Sequence, residues 1–197
     1  MLSGRLGDGN FKKNGETGCY YRESHAEDEL EYLKWKAEQL GPNIISKKGV
    51  HPIKKRENPH ISKDKIILDL QQPYIFSTKT SSVFNYYKNI SLSEVIVNLD
   101  YRGIILYLLD DGWFNSGGIQ NRYGKGHFCI SRGILTNEEA NLFCEQCIKY
   151  DLISIHTVSR GDFAFSQFDN ELLFSYVKSF LPLNLDIIQK KFRTMLL

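Results

Sequence analysis

Two kinds of hydrophobic and polar pattern follow one another along the first half of the chain. NFKKNGETGCYYRESH carries Asn-Gly between two short β-prone runs, which predicts a hairpin. AEDELEYLKWKAEQLG has apolar residues along one helical face and is followed by a Gly-Pro stop, which predicts a helix. The β-branched stretches IISKKGVHPIKKR and HISKDKIILDLQQPYIFST predict strands, and SSVFNYYKNI predicts a closing helix.

The second half repeats this order of elements. DYRGIILYLLDDG predicts an apolar helix, WFNSGGIQNRYGKGHFCIS predicts a glycine-rich hairpin, and LISIHTVSRGDFAFSQF predicts two strands before a helix through NELLFSYVKSFL. LTNEEANLFCEQCIKYD predicts a helix in which Thr136 is the N-cap and Glu139 completes a capping box. The apolar spacing in this segment predicts an inward face made of Leu142, Phe143, Cys147 and Ile148.

The motif Asp-Gly-x-Phe occurs twice, in GRLGDGNF and in YLLDDGWF. Aligning Asp8 with Asp111, 103 positions later, also aligns the pairs Gly9 and Gly112, Phe11 and Phe114, and Gly15 and Gly118. A degenerate repeat that stays in register predicts a duplicated, pseudo-symmetric fold. We therefore expect two repeats, at residues 1–98 and 99–197.

Composition is that of a globular protein, with 42% hydrophobic and 24% charged residues in 197. No apolar run approaches the roughly 20 residues of a membrane helix, so we expect a soluble, intracellular protein without a membrane partner. The sequence does not distinguish bacterial cytoplasm from an organelle such as the mitochondrion or chloroplast. A net charge of +2 is only mildly basic, so a nucleic-acid partner must be argued from where the charges lie.

The spacing of Cys144 and Cys147 is that of half a zinc site. The other two cysteines stand alone in the sequence, and the segment around this pair also fits an amphipathic helix. A structural zinc ion needs four well-placed ligands, so we favour reduced, mostly buried thiols.

Asp-Gly before a hairpin has two readings. Each copy alone fits a simple turn, because Asp and Gly both favour chain reversal. Two copies at equivalent places would bring two carboxylates together if the preceding helices pack side by side, with Ser3, Gly4 and Gly7 allowing close approach. Carboxylates so placed repel one another, and a divalent cation with hard oxygen ligands removes that repulsion and suits phosphodiester hydrolysis.

At these residues the sequence resembles the LAGLIDADG homing endonucleases, especially the intron-encoded type. LSGRLGDGNF is similar to the first signature helix and ILYLLDDGWF to the second, and FLPLNLDIIQKKF is similar to the closing segment. The resemblance implies an α+β fold, with duplicated αββαββα halves related by a pseudo-two-fold axis and antiparallel sheets that form a DNA-binding saddle. It also implies a monomer that makes double-strand breaks at a long recognition site in double-stranded DNA.

The resemblance also implies roles for particular residues. Asp8 and Asp111 would each bind Mg²⁺, for which Mn²⁺ can substitute, and the backbone carbonyls of Gly7 and Asp110 would complete the metal ligands. Lys88 and Lys190 are the candidates for assisting proton transfer. A glutamine that orders solvent in the family is not evident, and His25 and Arg132 lie about where it would be.

Basic residues in two regions are candidate DNA contacts. One region is KKGVHPIKKR, where a solvated charged surface is the alternative reading, and the other comprises the two hairpins beside the Asp-Gly turns. The candidates are Lys12, Lys13, Arg22, Lys47, Lys48, Lys54, Lys55, Arg56, Gln120, Arg122, Lys125 and Arg132. The acidic helix AEDELEYLKWKAE is expected on the outer face, away from this surface.

Two alternatives remain open at this point. Tyr20, Tyr21, Tyr86, Tyr87 and Tyr101 could stack on single-stranded bases, although their apolar neighbours favour packing in the core. The chain could also be a non-cleaving binder of nucleic acid on the same scaffold, such as an intron maturase that binds intron RNA or a DNA-binding regulator. Retention of both aspartates favours the endonuclease, because a pure binder gains little from carboxylates that repel phosphate.

Overall fold

A computed structural model of the chain describes residues 1–53, 72–115, 126–152, 155–157, 161–192 and 195. The first half begins with a single 3₁₀ turn, Ser3–Arg5. Its strands are β1 (Gly9–Asn14), β2 (Gly18–His25), β3 (His51–Pro52) and β4 (Tyr74–Ser77). Its helices are α1 (Leu30–Leu40), α2 (Val83–Asn89) and α3 (Leu92–Val97), and a 3₁₀ turn, Glu27–Glu29, leads into α1.

The second half begins with a full helix, α4 (Tyr101–Asp111). Its strands are β5 (Gly112–Asn115), β6 (His127–Ile130), β7 (His156–Thr157) and β8 (Phe163–Ala164). Its remaining helices are α5 (Asn137–Ile148), α6 (Asn170–Phe180) and α7 (Asp186–Lys191), with a 3₁₀ turn, Gln167–Asp169, before α6. Thr136 and Glu139 form the predicted capping box at the start of α5.

Each half contains one antiparallel sheet with the same topology. The strand order is β1-β2-β4-β3 in the first sheet and β5-β6-β8-β7 in the second. The equivalent hairpins pair Phe11 with Tyr21 and Phe114 with Phe128. The predicted α+β fold with duplicated αββαββα halves is therefore confirmed, while the exact boundary between residues 98 and 99 stays a prediction.

Two hydrophobic clusters support the sheets. The smaller cluster lies under the first sheet and includes Phe11, Tyr21, Phe76 and Phe84. The larger cluster surrounds α4 in the second half, and it also takes in Tyr32 from α1 of the first half. Because α1 supplies a fully buried ring to the core of the other half, the two halves share packing and do not merely touch.

The first helical element is shorter than its equivalent and packs differently from the expectation. In the described residues Asp8 follows the turn Ser3–Arg5, whereas α4 has eleven residues before Gly112. Gly4 faces the Tyr21 hydroxyl and leaves no room for a Cβ there, so its small size serves the first sheet and not the helix pair. Gly7 is the glycine that faces α4.

The inward face of α5 was predicted only in part. Phe143 and Cys147 are buried as expected, but Ile148 is 48% exposed. Gln146 is buried in its place and donates a hydrogen bond from its amide to the Leu99 carbonyl. All four cysteines are free thiols, and Cys144 and Cys147 do not belong to any cluster of metal ligands within the described residues.

The tyrosines that were considered for base stacking differ in their exposure to solvent. Tyr21 is buried in the core, whereas Tyr86 is 58% exposed and donates a hydrogen bond to Glu94. None of the helices in the described ranges is both long enough and apolar enough to span a lipid bilayer.

Candidate active site

Asp8 and Asp111 occupy equivalent places in the two halves. Asp8 lies between the first 3₁₀ turn and β1, and Asp111 is the last residue of α4, directly before β5. A Cβ placed on Gly7 would lie 2.7 Å from the Cβ of Asp110, so the two segments approach each other closely here. The glycine therefore allows the first turn to reach the end of α4 and brings the duplicated Asp-Gly motifs to one location.

The carboxylates at this location are held in an environment that disfavours their charge. Burial, together with the negative charges of Asp110 and Asp111, raises the pKa of Asp8 to about 6. Burial and the Asp110 charge likewise raise the pKa of Asp111 to about 6. Asp8 nevertheless keeps 38% of its side chain exposed, so it remains accessible to a ligand. A divalent cation bound here would compensate the concentrated negative charge.

Asp110 points into the protein and is neutralised from α1. Its buried carboxylate accepts hydrogen bonds from Lys36 Nζ and, at 3.0 Å, from the Tyr32 hydroxyl. Lys36 also contacts Glu23 of β2, so one buried ammonium joins two carboxylates from different halves. The second Asp110 oxygen, Oδ2, is buried without a hydrogen-bond partner in the part of the chain that the structure describes.

This arrangement corrects the expectation that α1 lies wholly on the outer face. Its acidic residues Glu31 and Glu38 are exposed, but Tyr32 and Lys36 on its inner side reach the end of α4. Sequence reasoning missed Lys36. Its position one turn after Leu33, on the apolar face of the helix, was the available signal.

His25 lies between three carboxylates next to Asp8. Its Nε2 is 2.9 Å from Glu23 Oε1, and its Nδ1 is 2.9 Å from Glu29 Oε2 and 3.6 Å from Asp8 Oδ2. Burial alone would lower the pKa of His25, but the hydrogen bonds to Glu23 and Glu29 outweigh it and raise the pKa to about 9. The ring is therefore an imidazolium at neutral pH and donates from both nitrogens.

Asp8, His25 and Asp110 each bring one potential metal-binding atom within 4.8 Å of the others. An imidazolium has no lone pair to offer a metal ion, and the Asp110 carboxylate is already bound by an ammonium group. In this state His25 and Asp110 are poor metal ligands. The partly accessible carboxylate of Asp8, together with that of Asp111, is the better donor set for a hard cation.

The two lysines that were predicted to assist proton transfer make their described contacts with residues other than Asp8 and Asp111. Lys190 is 52% exposed and binds Asp28 at 3.0 Å and Glu29 at 2.9 Å. Lys88 is on α2, where its carbonyl accepts a hydrogen bond from Arg5 and its charge acts on the thiol of Cys19. The catalytic roles of both lysines stay predictions.

Lys191, the neighbour of Lys190, is the lysine that reaches the end of α4. Its Nζ contacts the Leu109 carbonyl and lies 3.5 Å from those of Leu108 and Asp110. Burial lowers the pKa of Lys191. Consecutive helical residues point about 100° apart, so the sequence pair Lys-Lys could not show which side chain faces the site.

A groove of about 620 Å³ opens beside Asp8 on the outward face of the first sheet. Its polar lining consists of Asp8, Asn10, Arg22, Glu23, Ser24, Lys48 and His51. Two of the predicted DNA contacts, Arg22 and Lys48, are thus brought together. Trp113 is the counterpart of Asn10 in the second half and is 41% exposed.

The alternation of side chains along β1 places two of the remaining predicted DNA contacts on opposite faces of the first sheet. Lys12 lies on the same face of β1 as Asn10, whereas Lys13 pairs with the buried Cys19 on the opposite face. Lys12 and Lys13 therefore point to opposite faces of β1, and their contacts with DNA stay predictions. Lys47 is exposed but does not line the groove.

Arg132 lies in the loop between β6 and α5. Its Nε donates to the Leu135 carbonyl at 2.7 Å, so part of the guanidinium is engaged within that loop. Six other predicted DNA contacts lie outside the described residues: Lys54, Lys55, Arg56, Gln120, Arg122 and Lys125.

Comparison with known proteins identifies the fold. No family model matches the chain and no curated protein matches it, but solved structures do. One is the homing endonuclease I-WcaI bound to its DNA recognition sequence, with 14% identity and a TM-score of 0.66 over 93% of this chain and 81% of that one. Another is the LAGLIDADG meganuclease I-AabMI bound to uncleaved DNA, with 10% identity and a TM-score of 0.51 over 95% and 85% of the two chains. The chain therefore has the fold of the LAGLIDADG homing endonucleases.

Proposed function

We propose that this protein is a site-specific DNA endonuclease that makes metal-dependent double-strand breaks. The aspartate of each half would act in the cleavage of one DNA strand. The observation that carries the proposal is the placement of Asp8 and Asp111 at equivalent positions, each directly before the first strand of a sheet. One chain would supply both half-sites, so a monomer would suffice, with residues 1–98 and 99–197 as the two repeats.

The side chains present at this location fit a hard divalent cation such as Mg²⁺ or Mn²⁺. Asp8 and Asp111 would hold it with oxygen ligands, and the backbone carbonyls of Gly7 and Asp110 are the proposed additional donors. One Asp110 oxygen, Oδ2, is buried at this end of α4 without a hydrogen-bond partner among the described residues, and a nearby cation would stabilise it. When bound, such an ion supplies activation of a water nucleophile and stabilisation of the leaving oxygen.

The residues around the aspartates position them and limit their charge. Lys36 pairs with Glu23 and Asp110 and so offsets part of the negative charge that these two buried carboxylates add to the site. His25 contributes positive charge 3.6 Å from Asp8. Lys191 caps the carbonyl end of α4 and so fixes the backbone from which Asp111 projects.

The outward face of the first sheet has the charge expected for a DNA-binding surface. Arg22 and Lys48 line the groove beside Asp8, and Lys12 lies on the same sheet face. Cations of this kind neutralise phosphates, while amide side chains such as that of Asn10 can read base edges in the major groove. Duplex DNA laid along this face would pass next to Asp8.

One observation favours a second function, that of a non-cleaving nucleic-acid binder such as an intron maturase or a regulator. Asp8 is supported by one 3₁₀ turn, whereas Asp111 is supported by an eleven-residue helix. A carboxylate held by a single turn is less firmly positioned than one at the end of a helix, so the two metal sites would be unequal in strength. A binder of this kind would keep the groove but would not cut DNA.

A selection experiment separates the two functions. The protein is mixed with a random duplex library in Ca²⁺, and bound duplexes are recovered, amplified and reselected. The selected duplex is then incubated with the protein in Mg²⁺ or Mn²⁺. Enrichment of one sequence followed by cleavage of both strands supports the proposal. Enrichment without cleavage in either metal supports the non-cleaving binder, and a library that stays random contradicts both.

A further inference from the structure

His51 occupies a defined position in the groove beside Asp8. It lies on β3 and pairs with Ile75 of β4, which in turn pairs with Ser24 of β2. Residues in register across neighbouring strands share one face of a sheet, and all three line the groove. The imidazole is therefore on the same outward face as Arg22, in the part of the sheet that continues from Asp8.

The backbone fixes which ring nitrogen of His51 carries a proton. Nδ1 lies 3.0 Å from the carbonyl oxygen of Gly49, and a carbonyl can only accept a hydrogen bond. Gly49 has a φ of +58°, a left-handed conformation that suits glycine. In the neutral ring, a proton on Nδ1 leaves Nε2 with the lone pair.

The polar groups around His51 differ in what they can recognise. Arg22 and Lys48 can only donate, so they suit phosphate oxygens and the acceptor atoms N7 and O6 of guanine. A lone pair on Nε2 instead suits a base that presents a donor. In the major groove the donors are the exocyclic amino groups, N6 of adenine and N4 of cytosine.

We propose that His51 is a specificity-determining residue, and that its Nε2 accepts a hydrogen bond from the exocyclic amino group of an adenine or cytosine in the half-site bound by the first sheet. This inference rests on the proposed function, because it requires duplex DNA along the outward face of that sheet. It goes further because it assigns the preference for one base to the His51 side chain and names the amino group of that base as the hydrogen-bond donor.

The test compares base preferences selected by the wild type, by His51→Ala and by His51→Gln from the same random duplex library in Ca²⁺. The wild type is expected to prefer adenine or cytosine at one position that His51→Ala no longer discriminates, with the preferences at other positions unchanged. Gln keeps an acceptor oxygen, so His51→Gln should retain a preference at that position. Lys34→Ala, which removes an exposed lysine of α1 paired with Glu31, is the control and should select the wild-type site.

A change in the DNA tests the same contact without any variant. The selected adenine is replaced by purine, or the selected cytosine by 2-pyrimidinone, which removes only the amino group. Wild-type binding should weaken by about 2- to 13-fold, the range expected for the loss of one hydrogen bond. His51→Ala should be indifferent to the replacement.

The outcomes distinguish failure of the inference from failure of the proposed function. If wild type and His51→Ala select the same base at every position, or if wild type tolerates loss of the amino group, the role of His51 is overturned while the endonuclease proposal stands. If the wild type enriches no sequence, both are overturned. Thermal melting of each variant shows whether it is folded. If His51→Ala does not fold, binding of the wild type to the duplex that lacks the amino group shows whether His51 has this role.

Discussion

Replacing Lys36 by methionine should strongly destabilise the protein. The Lys36 side chain is buried, and its ammonium group contacts the buried carboxylates of Glu23 and Asp110. Methionine keeps most of the volume of the side chain but removes the charge. Two carboxylates from different halves of the molecule would then remain buried and repel one another.

The expected size of the effect follows from this burial. Removing one partner of a buried ion pair costs about 3–5 kcal/mol, because the remaining charge is left without compensation. For a chain of this size each kcal/mol lowers the melting temperature by roughly 2–4 °C, so melting should fall by about 6–20 °C. Removing an exposed lysine changes the unfolding free energy by less than about 0.5 kcal/mol.

Urea unfolding at pH 7, followed by circular dichroism, measures the loss of unfolding free energy. Lys34→Met is the matched control, because Lys34 is exposed on the same helix and pairs only with Glu31. The double variant Lys36→Met with Glu23→Gln should recover part of the loss, since the repulsion between the two buried carboxylates is then removed.

The loss should also depend on pH in a defined direction. Burial raises the pKa of Asp110 even with Lys36 present, and without the ammonium group it should rise further. A carboxyl group whose pKa is higher in the folded than in the unfolded state destabilises the fold increasingly as pH rises through that range. The deficit of Lys36→Met should therefore shrink as pH falls from 7 towards 5. A deficit below about 1 kcal/mol at pH 7, or one that does not change with pH, would contradict the buried network.

Three further predictions concern the metal, the groove and the close approach of the halves. Mg²⁺ should raise the melting temperature of the wild type at pH 7.5, and this gain should fade as pH drops below about 6, where protons occupy Asp8 and Asp111; a gain that persists at pH 5 would count against these ligands. Replacing Arg22 and Lys48 together by alanine should reduce the salt slope of DNA binding by about two, whereas Lys34→Ala with Lys178→Ala should not change it; equal slopes would show that the groove does not contact phosphates. Gly7→Ala should lower the unfolding free energy by about 1–3 kcal/mol because its Cβ would overlap Asp110, and a neutral result in urea unfolding would show that the segments can move apart.

Much of the fold could be predicted from local signals. The Asn-Gly hairpin, the capping box of Thr136 and Glu139 and the Gly41 stop of α1 each depend on residues close in sequence. The in-register repeat of Asp8 and Asp111 predicted the duplicated topology, because equivalent residues in a repeat occupy equivalent places. These features needed no knowledge of how the two halves pack.

The surroundings of the aspartates could not be predicted in the same way. Lys36 reads as one more surface cation in a charged helix, and its role appears only when α1 packs against the end of α4. His25 lies within four residues of Glu23 and Glu29, but its place 3.6 Å from Asp8 depends on the pairing of β2 with β1. Interactions between distant segments depend on tertiary packing, so local patterns do not reveal them.

Alternation along strands limited the prediction of DNA contacts. Charge alone grouped Lys12 with Lys13, but neighbouring residues of a strand point to opposite faces. The same problem arose with Lys190 and Lys191 on α7, where a rotation of about 100° decides which lysine meets the carbonyls of α4.

The central claim is that Asp8 and Asp111 act in cleavage and not in DNA binding, and one paired measurement tests it most directly. Wild type, Asp8→Asn and Asp111→Asn are compared on the selected duplex, with cleavage followed in Mg²⁺ and binding followed by gel shift in Ca²⁺. Either substitution should abolish double-strand cleavage while binding stays equal to or slightly tighter than that of the wild type, because a charge that repels phosphate has been removed. Full cleavage by either variant would contradict the account and show that its aspartate is only a turn residue.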